Sequence, residues 1–205
     1  MRNIKIKVCG ITDKKNYNDL KKYPISYFGF IFYDKSPRYI LNKKNISFIK
    51  NIPNKVGIFV DEDHEKVLSI ANKYNFSIIQ LHGNESENYC KILRSKGLCI
   101  IKSQLIRKKT DFKETKSKNI DFNLFDYKSK DFGGSGKSFN WNILNTISLK
   151  KKYFLSGGVS MNNLNDLNKI KDKNYLYGLD LNSKFEKYPG YKDIKLIDKF
   201  FNIIR

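Results

Sequence analysis

Apolar positions along the chain fall into two alternating patterns. Short runs rich in Ile, Val, Leu, Phe and Tyr occupy residues 4–8, 25–30, 55–60, 77–81, 98–101, 121–125, 153–155 and 175–179, each with the length and composition of a strand. Between them apolar residues recur at helical spacing, as in Val67, Ile70, Ala71 and Tyr74, or in Ile194, Ile197, Phe201 and Ile204. This alternation predicts parallel strands covered by helices, and eight units favour closure into a (β/α)8 barrel over an open doubly wound sheet. The fifth unit is the exception. Residues 108–118 carry little apolar periodicity, so helix and loop both stay open there. At 205 residues the chain is near the short end of such barrels, roughly 200 residues, and its loops must be compact. No compositional break or low-complexity linker divides it, so residues 1–205 are expected to form one α/β domain, a single-domain TIM barrel.

Composition narrows the class further. With 40% hydrophobic and 14% aromatic residues, a domain of this length buries roughly 70% of its unfolded surface, which argues against a disordered chain. No run approaches the roughly 20 consecutive apolar residues that span a bilayer. Residues 1–7 alternate apolar with charged and form no signal-peptide core. A cytoplasmic protein without a membrane partner is therefore expected. Cys9, Cys90 and Cys99 are odd in number and contain no CxxC pair, against a disulfide framework or a zinc site. The formal net charge of +20 invites a nucleic-acid reading. However, 35 of the 40 basic residues are lysine, spread over nearly every segment of a chain also rich in Asn, Ile, Tyr and Phe, all residues with A/T-rich codons. Nucleic-acid binders favour clustered arginine, so no specific nucleic-acid partner is expected.

In a barrel of this kind the chemistry sits at the C-terminal ends of the strands, and here those ends are polar. They carry Cys9-Gly10-Ile11-Thr12, Ser36-Pro37-Arg38-Tyr39, Asp61, His82-Gly83, Asp126, Gly157-Gly158 and Asp180-Leu181-Asn182-Ser183. The strand interiors are mostly Ile, Val, Leu and Phe. A thiol, an arginine, a histidine, carboxylates and a glycine-rich turn thus converge on one rim. Period-two alternation also puts Lys5, Lys7 and Cys9 on one strand face. A lumenal Cys9 would have Lys7 roughly 6–7 Å below it, from a rise of about 3.3 Å per residue, near enough to favour the thiolate. Cys90 and Cys99 read as small core residues.

Taken together, Val8-Cys9-Gly10-Ile11-Thr12, Gly29-Phe30-Ile31-Phe32 with Ser36-Pro37-Arg38-Tyr39, Val56-Gly57-Ile58-Phe59-Val60, Gln80-Leu81-His82-Gly83, Gly133-Gly134-Ser135-Gly136-Lys137 followed by Trp141, and Ser156-Gly157-Gly158 resemble the phosphoribosylanthranilate isomerase family over the whole length. The resemblance implies a (β/α)8 barrel. It also implies the tryptophan-pathway Amadori rearrangement of N-(5-phosphoribosyl)anthranilate to 1-(2-carboxyphenylamino)-1-deoxyribulose 5-phosphate, with neither a metal nor an organic cofactor. By resemblance Cys9 is the general base and Asp126 the general acid; the thiol must ionise and the carboxyl must hold or regain a proton, so the site must push their pKa values away from their usual order.

The remaining expectations concern the ligand. Arg38 suits the anthranilate carboxylate because its planar fork binds bidentately, and His82 is expected to touch the ligand. Asp180 is expected to touch the ligand or to support a loop. Gly157 and Gly158, followed by a helix opening near residues 160–163, have the form of a phosphate site that Asn182 and Ser183 complete. The loop Gly133, Gly134, Ser135, Gly136 and Lys137 resembles the family's mobile cover. The chain departs from the family after strand 8, where Lys184 stands in place of a glycine; this lysine would either face the phosphate or point to solvent. Two other phosphosugar barrels compete, an indole-glycerol-phosphate synthase and a ribulose-phosphate epimerase. The first wants a Lys–Glu pair at strand ends and the second a metal cluster, and neither is present in the sequence. A monomer or homodimer is expected.

Overall fold

Period-two alternation in the first strand decides which side chains enter the barrel. In β1 (Lys5–Val8), Ile6 and Val8 join the apolar layer outside the barrel, whereas Lys7 is fully buried and Cys9 packs with Val56, Ile58, Ile101, Leu124 and Phe154 in the lumen. The computed structural model describes residues 4–128 and 138–204. Seven more strands follow: β2 (Tyr27–Ile31), β3 (Lys55–Phe59), β4 (Ile78–Leu81), β5 (Cys99–Ile106), β6 (Phe122–Tyr127), β7 (Tyr153–Leu155) and β8 (Leu176–Leu181). Each pairs in parallel with the next, and β8 returns to β1, closing the barrel. This is the (β/α)8 architecture that the alternation predicts.

One strand is longer than its apolar run. β5 continues to Ile106 instead of stopping at Ile101, pairing six consecutive residues with β6. The polar residues that interrupt the run are accommodated by bonding partners. Lys102 reaches Gly83 O and Glu85, Ser103 meets His82, and Gln104 bonds Lys113 O.

The covering layer departs more from expectation. Among the described residues there are four α-helices: α1 (Lys14–Leu20), α2 (His64–Tyr74), α3 (Glu87–Ser95) and α4 (Ile194–Ile204). α2 has strong local signals, with Asp63 capping Glu65 N and Lys66 N, Asn75 closing the C-terminus, and Val67, Ile70, Ala71 and Tyr74 buried on one stripe. Elsewhere the cover is a 3-10 turn, at Ile46–Asn51, Trp141–Thr146 and Leu164–Lys169. Those stretches are rich in Asn and β-branched residues, which are poor helix formers. Their buried pairs, Trp141 with Leu144 and Leu164 with Leu167, are spaced by three, which is the 3-10 period. Residues 108–118 hold only a single such turn, Lys109–Asp111, and are otherwise loop.

After β8 the chain makes a hairpin of β9 (Glu186–Tyr188) and β10 (Tyr191–Lys192), turning at Pro189 and Gly190. α4 then buries Ile197, Phe200 and Phe201. Among the described residues no helix is long and apolar enough to cross a membrane. The expected cover loop at residues 133–137 lies outside the described residues.

Candidate active site

Register at the β1–β8 seam sets Lys7 opposite Asp180. Their side chains pair at 2.9 Å with almost no exposure, and Ser156 Oγ adds a contact to Asp180 at 3.4 Å. Burial alone would lower the Lys7 amine, but Asp180 and Cys9 outweigh it, and Lys7 is held above its usual value as an ammonium. Cys9 stands next along the same lumenal face. Burial pushes its thiol up and Asp180 adds to the rise, while Lys7 and Lys192 oppose it. Lys7 therefore acts in the expected direction, yet it does not by itself secure a thiolate. Its charge is shared with Asp180, and desolvation of the thiol is the larger effect.

Asp126 lies one residue before the end of β6, which β7 and β8 separate from β1 around the closed barrel. One of its oxygens accepts from Tyr127 N at 2.7 Å, and the other lies 3.4 Å from His82 Nε2. The buried His82 ring is oriented from behind. Gln80 Nε2 stands 3.1 Å from Nδ1, and Ser103 Oγ stands 2.7 Å from the same atom. The other ring nitrogen, Nε2, faces Asp126 without a hydrogen bond to it.

Two glycines make the site possible. Gly157 has φ +66°, and a Cβ there would lie 2.7 Å from Tyr127 N and 3.2 Å from an Asp126 carboxylate oxygen. Only a residue without a side chain lets the β7 loop pass so close to Asp126. Gly10 has φ +77°, and its Cβ would fall 2.6 Å from Arg38 Cδ and 3.0 Å from Asn182 Oδ1. It opens the floor over which Arg38 and Asn182 approach each other.

Arg38 does not wait with a free fork. Its guanidinium pairs with Glu186, Nε at 3.0 and 3.1 Å and Nη2 at 2.6 Å, and both side chains are buried. Burial alone would raise the Glu186 carboxyl, but Arg38 and Lys192 together hold it below its usual value. Lys192 Nζ is fully buried between Glu186 Oε1 at 2.6 Å and Asn182 Oδ1 at 2.9 Å, and burial lowers its pKa to about 8.

These groups surround a cavity of about 300 Å³ at the C-terminal rim. Cys9, Arg38, His82, Asp126, Asp180 and Asn182 supply its polar wall, and Ile31, Pro37, Ile58 and Val60 an apolar one. Lys7 lies beneath it. Gly157, Gly158 and Ser183 sit on the loops after β7 and β8 and do not line it. The helix expected to open at residues 160–163 is the 3-10 turn Leu164–Lys169. Asn163 braces the glycine loop instead, accepting from Ser160 N and donating to Gly158 O, both at 2.9 Å. Lys184 is exposed.

Four site residues escape the strand-end inventory. Gln80 shares the lumenal parity of His82, and that alternation could have revealed it. Ser103 has the parity of Ile101 but lies beyond the apolar run. Glu186 and Lys192 belong to a hairpin that the hydrophobic pattern does not mark, although Pro189-Gly190 is a turn signal.

A parallel eight-stranded barrel with a thiol, a carboxylate and buried cations around one small rim cavity defines a TIM-barrel enzyme. The sequence model of N-(5'-phosphoribosyl)anthranilate (PRA) isomerase matches residues 6–203, and the N-(5'-phosphoribosyl)anthranilate isomerase of Parabacteroides distasonis is 36% identical over 206 residues, covering 98% of this chain and 91% of that protein. The chain belongs to the PRA isomerase family, and its reaction is the tryptophan-pathway isomerisation of N-(5'-phosphoribosyl)anthranilate. Solved structures agree in fold. The phosphoribosyl anthranilate isomerase of Thermus thermophilus superposes with TM-score 0.82 at 22% identity, covering 98% of both chains. Another phosphoribosyl anthranilate isomerase, in complex with reduced 1-(o-carboxyphenylamino)-1-deoxyribulose 5-phosphate, gives TM-score 0.76 at 25% identity over 97% of both chains.

Proposed function

We propose that Cys9 is the general base and Asp126 the general acid of this isomerisation. The observation that carries the assignment is that both line one rim cavity whose remaining polar wall includes Arg38. In the reaction Asp126 protonates the furanose ring oxygen as the C1–O bond breaks, which leaves a protonated Schiff base between C1 and the anthranilate nitrogen. Cys9 as thiolate then removes the proton from C2. The electron pair moves into the C1–C2 bond as the C1–N double bond returns its pair to nitrogen, and the resulting enolamine becomes the aminoketose when C1 gains a proton and the C2 hydroxyl loses one. His82, whose Nε2 faces the Asp126 carboxyl at 3.4 Å, lies within reach of the ligand.

Arg38 binds the anthranilate carboxylate through the donors that Glu186 leaves free, and the apolar wall accepts the aromatic ring. Asn182, Ser183, Gly157 and Gly158 hold the phosphate, and Asp180 fixes Lys7 beneath the thiol. We infer no metal or organic cofactor for these steps, since the thiol and the carboxyl between them move the protons. The enzyme works in the cytoplasm as a monomer or homodimer. Among the described residues only Tyr188 and Ile203 are large exposed hydrophobics, which supports little obligate apolar interface. Purified protein is expected to consume N-(5-phosphoribosyl)anthranilate in a fluorescence assay, and absence of turnover would overturn the assignment.

Two further results are expected. Arg38→Met should raise KM about 10- to 100-fold with a smaller change in kcat, because it removes a hydrogen bond to a charged group made in ground and transition states alike. An unchanged KM with collapsed kcat would show a different role. The net charge of +20 should assist capture of a substrate bearing a phosphate and a carboxylate. Thus kcat/KM should fall as salt rises from about 0.01 M to about 0.15 M while kcat holds. Equal kcat/KM at both salts would remove the field from the mechanism. Any nucleic-acid binding should be non-specific and lost with salt, which a titration against unrelated DNA and RNA sequences checks.

A further inference from the structure

The β9–β10 hairpin puts one carboxylate at the centre of a buried charge cluster. Glu186, 4% exposed at its side chain, accepts from Arg38 Nε and Nη2, from Lys192 Nζ at 2.6 Å and from Gly190 N at 3.0 Å. A guanidinium has two edges that can meet a carboxylate with parallel bonds, the side edge of Nε and Nη2 and the end edge of Nη1 and Nη2. Glu186 fills the side edge. Among the described residues no hydrogen bond occupies the end edge, and Arg38 lines the cavity that holds Cys9 and Asp126. The stem of Arg38 has little freedom to turn, because its Cδ packs into the space left by the missing Cβ of Gly10.

The cluster holds two cations, Arg38 and Lys192, against one anion, Glu186. Buried charges persist when they are paired, so the surplus positive charge calls for an anionic ligand group. Burial lowers the pKa of Lys192 to about 8, and the charge of Arg38 adds to that fall while Glu186 opposes it.

We propose that Glu186 is a positioning residue that locks Arg38 so that only its end edge meets the substrate's carboxylate, which makes the hairpin a determinant of selectivity for carboxylated aryl amines. The proposal rests on the assignment of Arg38 to that carboxylate. A substrate without the carboxylate gains nothing from the lock, so the effect of Glu186 must depend on that one group of the ligand.

The test compares kcat/KM for N-(5-phosphoribosyl)anthranilate with that for the same glycosylamine made from aniline, which keeps the sugar and phosphate. Glu186→Gln is expected to lower the ratio of the two about 10-fold, mainly through KM. Arg38→Met should lower the ratio at least as far, and the double variant no further than Arg38→Met alone, because Glu186 acts through Arg38. If Glu186→Gln lowers both substrates equally, or if the two effects simply add in the double variant, the lock is overturned while Arg38 keeps its role. If Arg38→Met leaves the ratio unchanged, the carboxylate assignment itself fails and the lock with it. Should Glu186→Gln not fold, Glu186→Asp, which keeps the charge and draws it back by one methylene, is expected to lower the same ratio, and an unchanged ratio overturns the proposal.

Discussion

Asp126→Asn is expected to lower kcat about 10²- to 10⁴-fold, the usual contribution of a general acid, with the fold intact. The amide keeps the shape of the carboxyl. Its oxygen can still accept from Tyr127 N, now at 2.7 Å from Asp126, and Gly157 still has room beside it. What it cannot do is deliver a proton to the ring oxygen, so the sugar stays closed and the Schiff base does not form. Steady-state kinetics together with a thermal melt decide the matter. Near-normal turnover would remove Asp126 from the mechanism. A fall in activity that tracks a fall in melting temperature would point to a structural role.

Cys9→Ala should produce a fall of similar size, about 10²- to 10⁴-fold in kcat, because no other described group stands on the lumenal face of β1 at the rim. The pH dependence of Cys9 alkylation, followed at that residue by mass spectrometry, adds a second reading of the same group. Burial pushes the Cys9 thiol above its ordinary value, against the opposition of Lys7 and Lys192. A base with a raised pKa is mostly protonated at neutral pH. The rate at which iodoacetamide alkylates Cys9, which follows the thiolate alone and not the acid, should therefore climb with pH through neutrality, roughly tenfold per pH unit while the pH stays below the thiol's pKa. A rate that is flat from about pH 6 to pH 8 would mean that the thiol is already ionised there. The neighbouring Lys192, lowered to about 8, titrates in the opposite sense, since it loses positive charge as pH rises. Loss of that charge removes one of the two cations that favour the thiolate, and it should flatten the profile above about pH 8.

Much of the site is legible along the chain because its members are held by local rules. Alternation in β1 puts Cys9 on the same face as Lys7, and the rim position of His82, Asp126 and Asp180 follows from where each strand stops being apolar. Arg38 stands in a Ser-Pro-Arg loop directly after a strand. Other features are hidden for equally physical reasons. The β5 run breaks at Lys102, so Ser103 behind His82 looks like loop until β6 pairs with it. The helix expected after β7 does not form, because the Asn-rich stretch settles into a 3-10 turn whose buried leucines are three apart.

The sequence by itself determined the barrel class, the apolar layers and the identity of the groups at the rim, since periods of two and 3.6 and the position of a strand end are properties of neighbouring residues. Only the tertiary structure decided whom those groups face. Lys7 meets Asp180 across 173 residues and Arg38 meets Glu186 across 148, separations that barrel closure alone brings within 3 Å or so of contact. Burial then sets their chemistry. Away from water an ion pair and a desolvated thiol shift each other's protonation far more than they could on an extended chain, and so the state of Cys9 and the free edge of Arg38 belong to the fold.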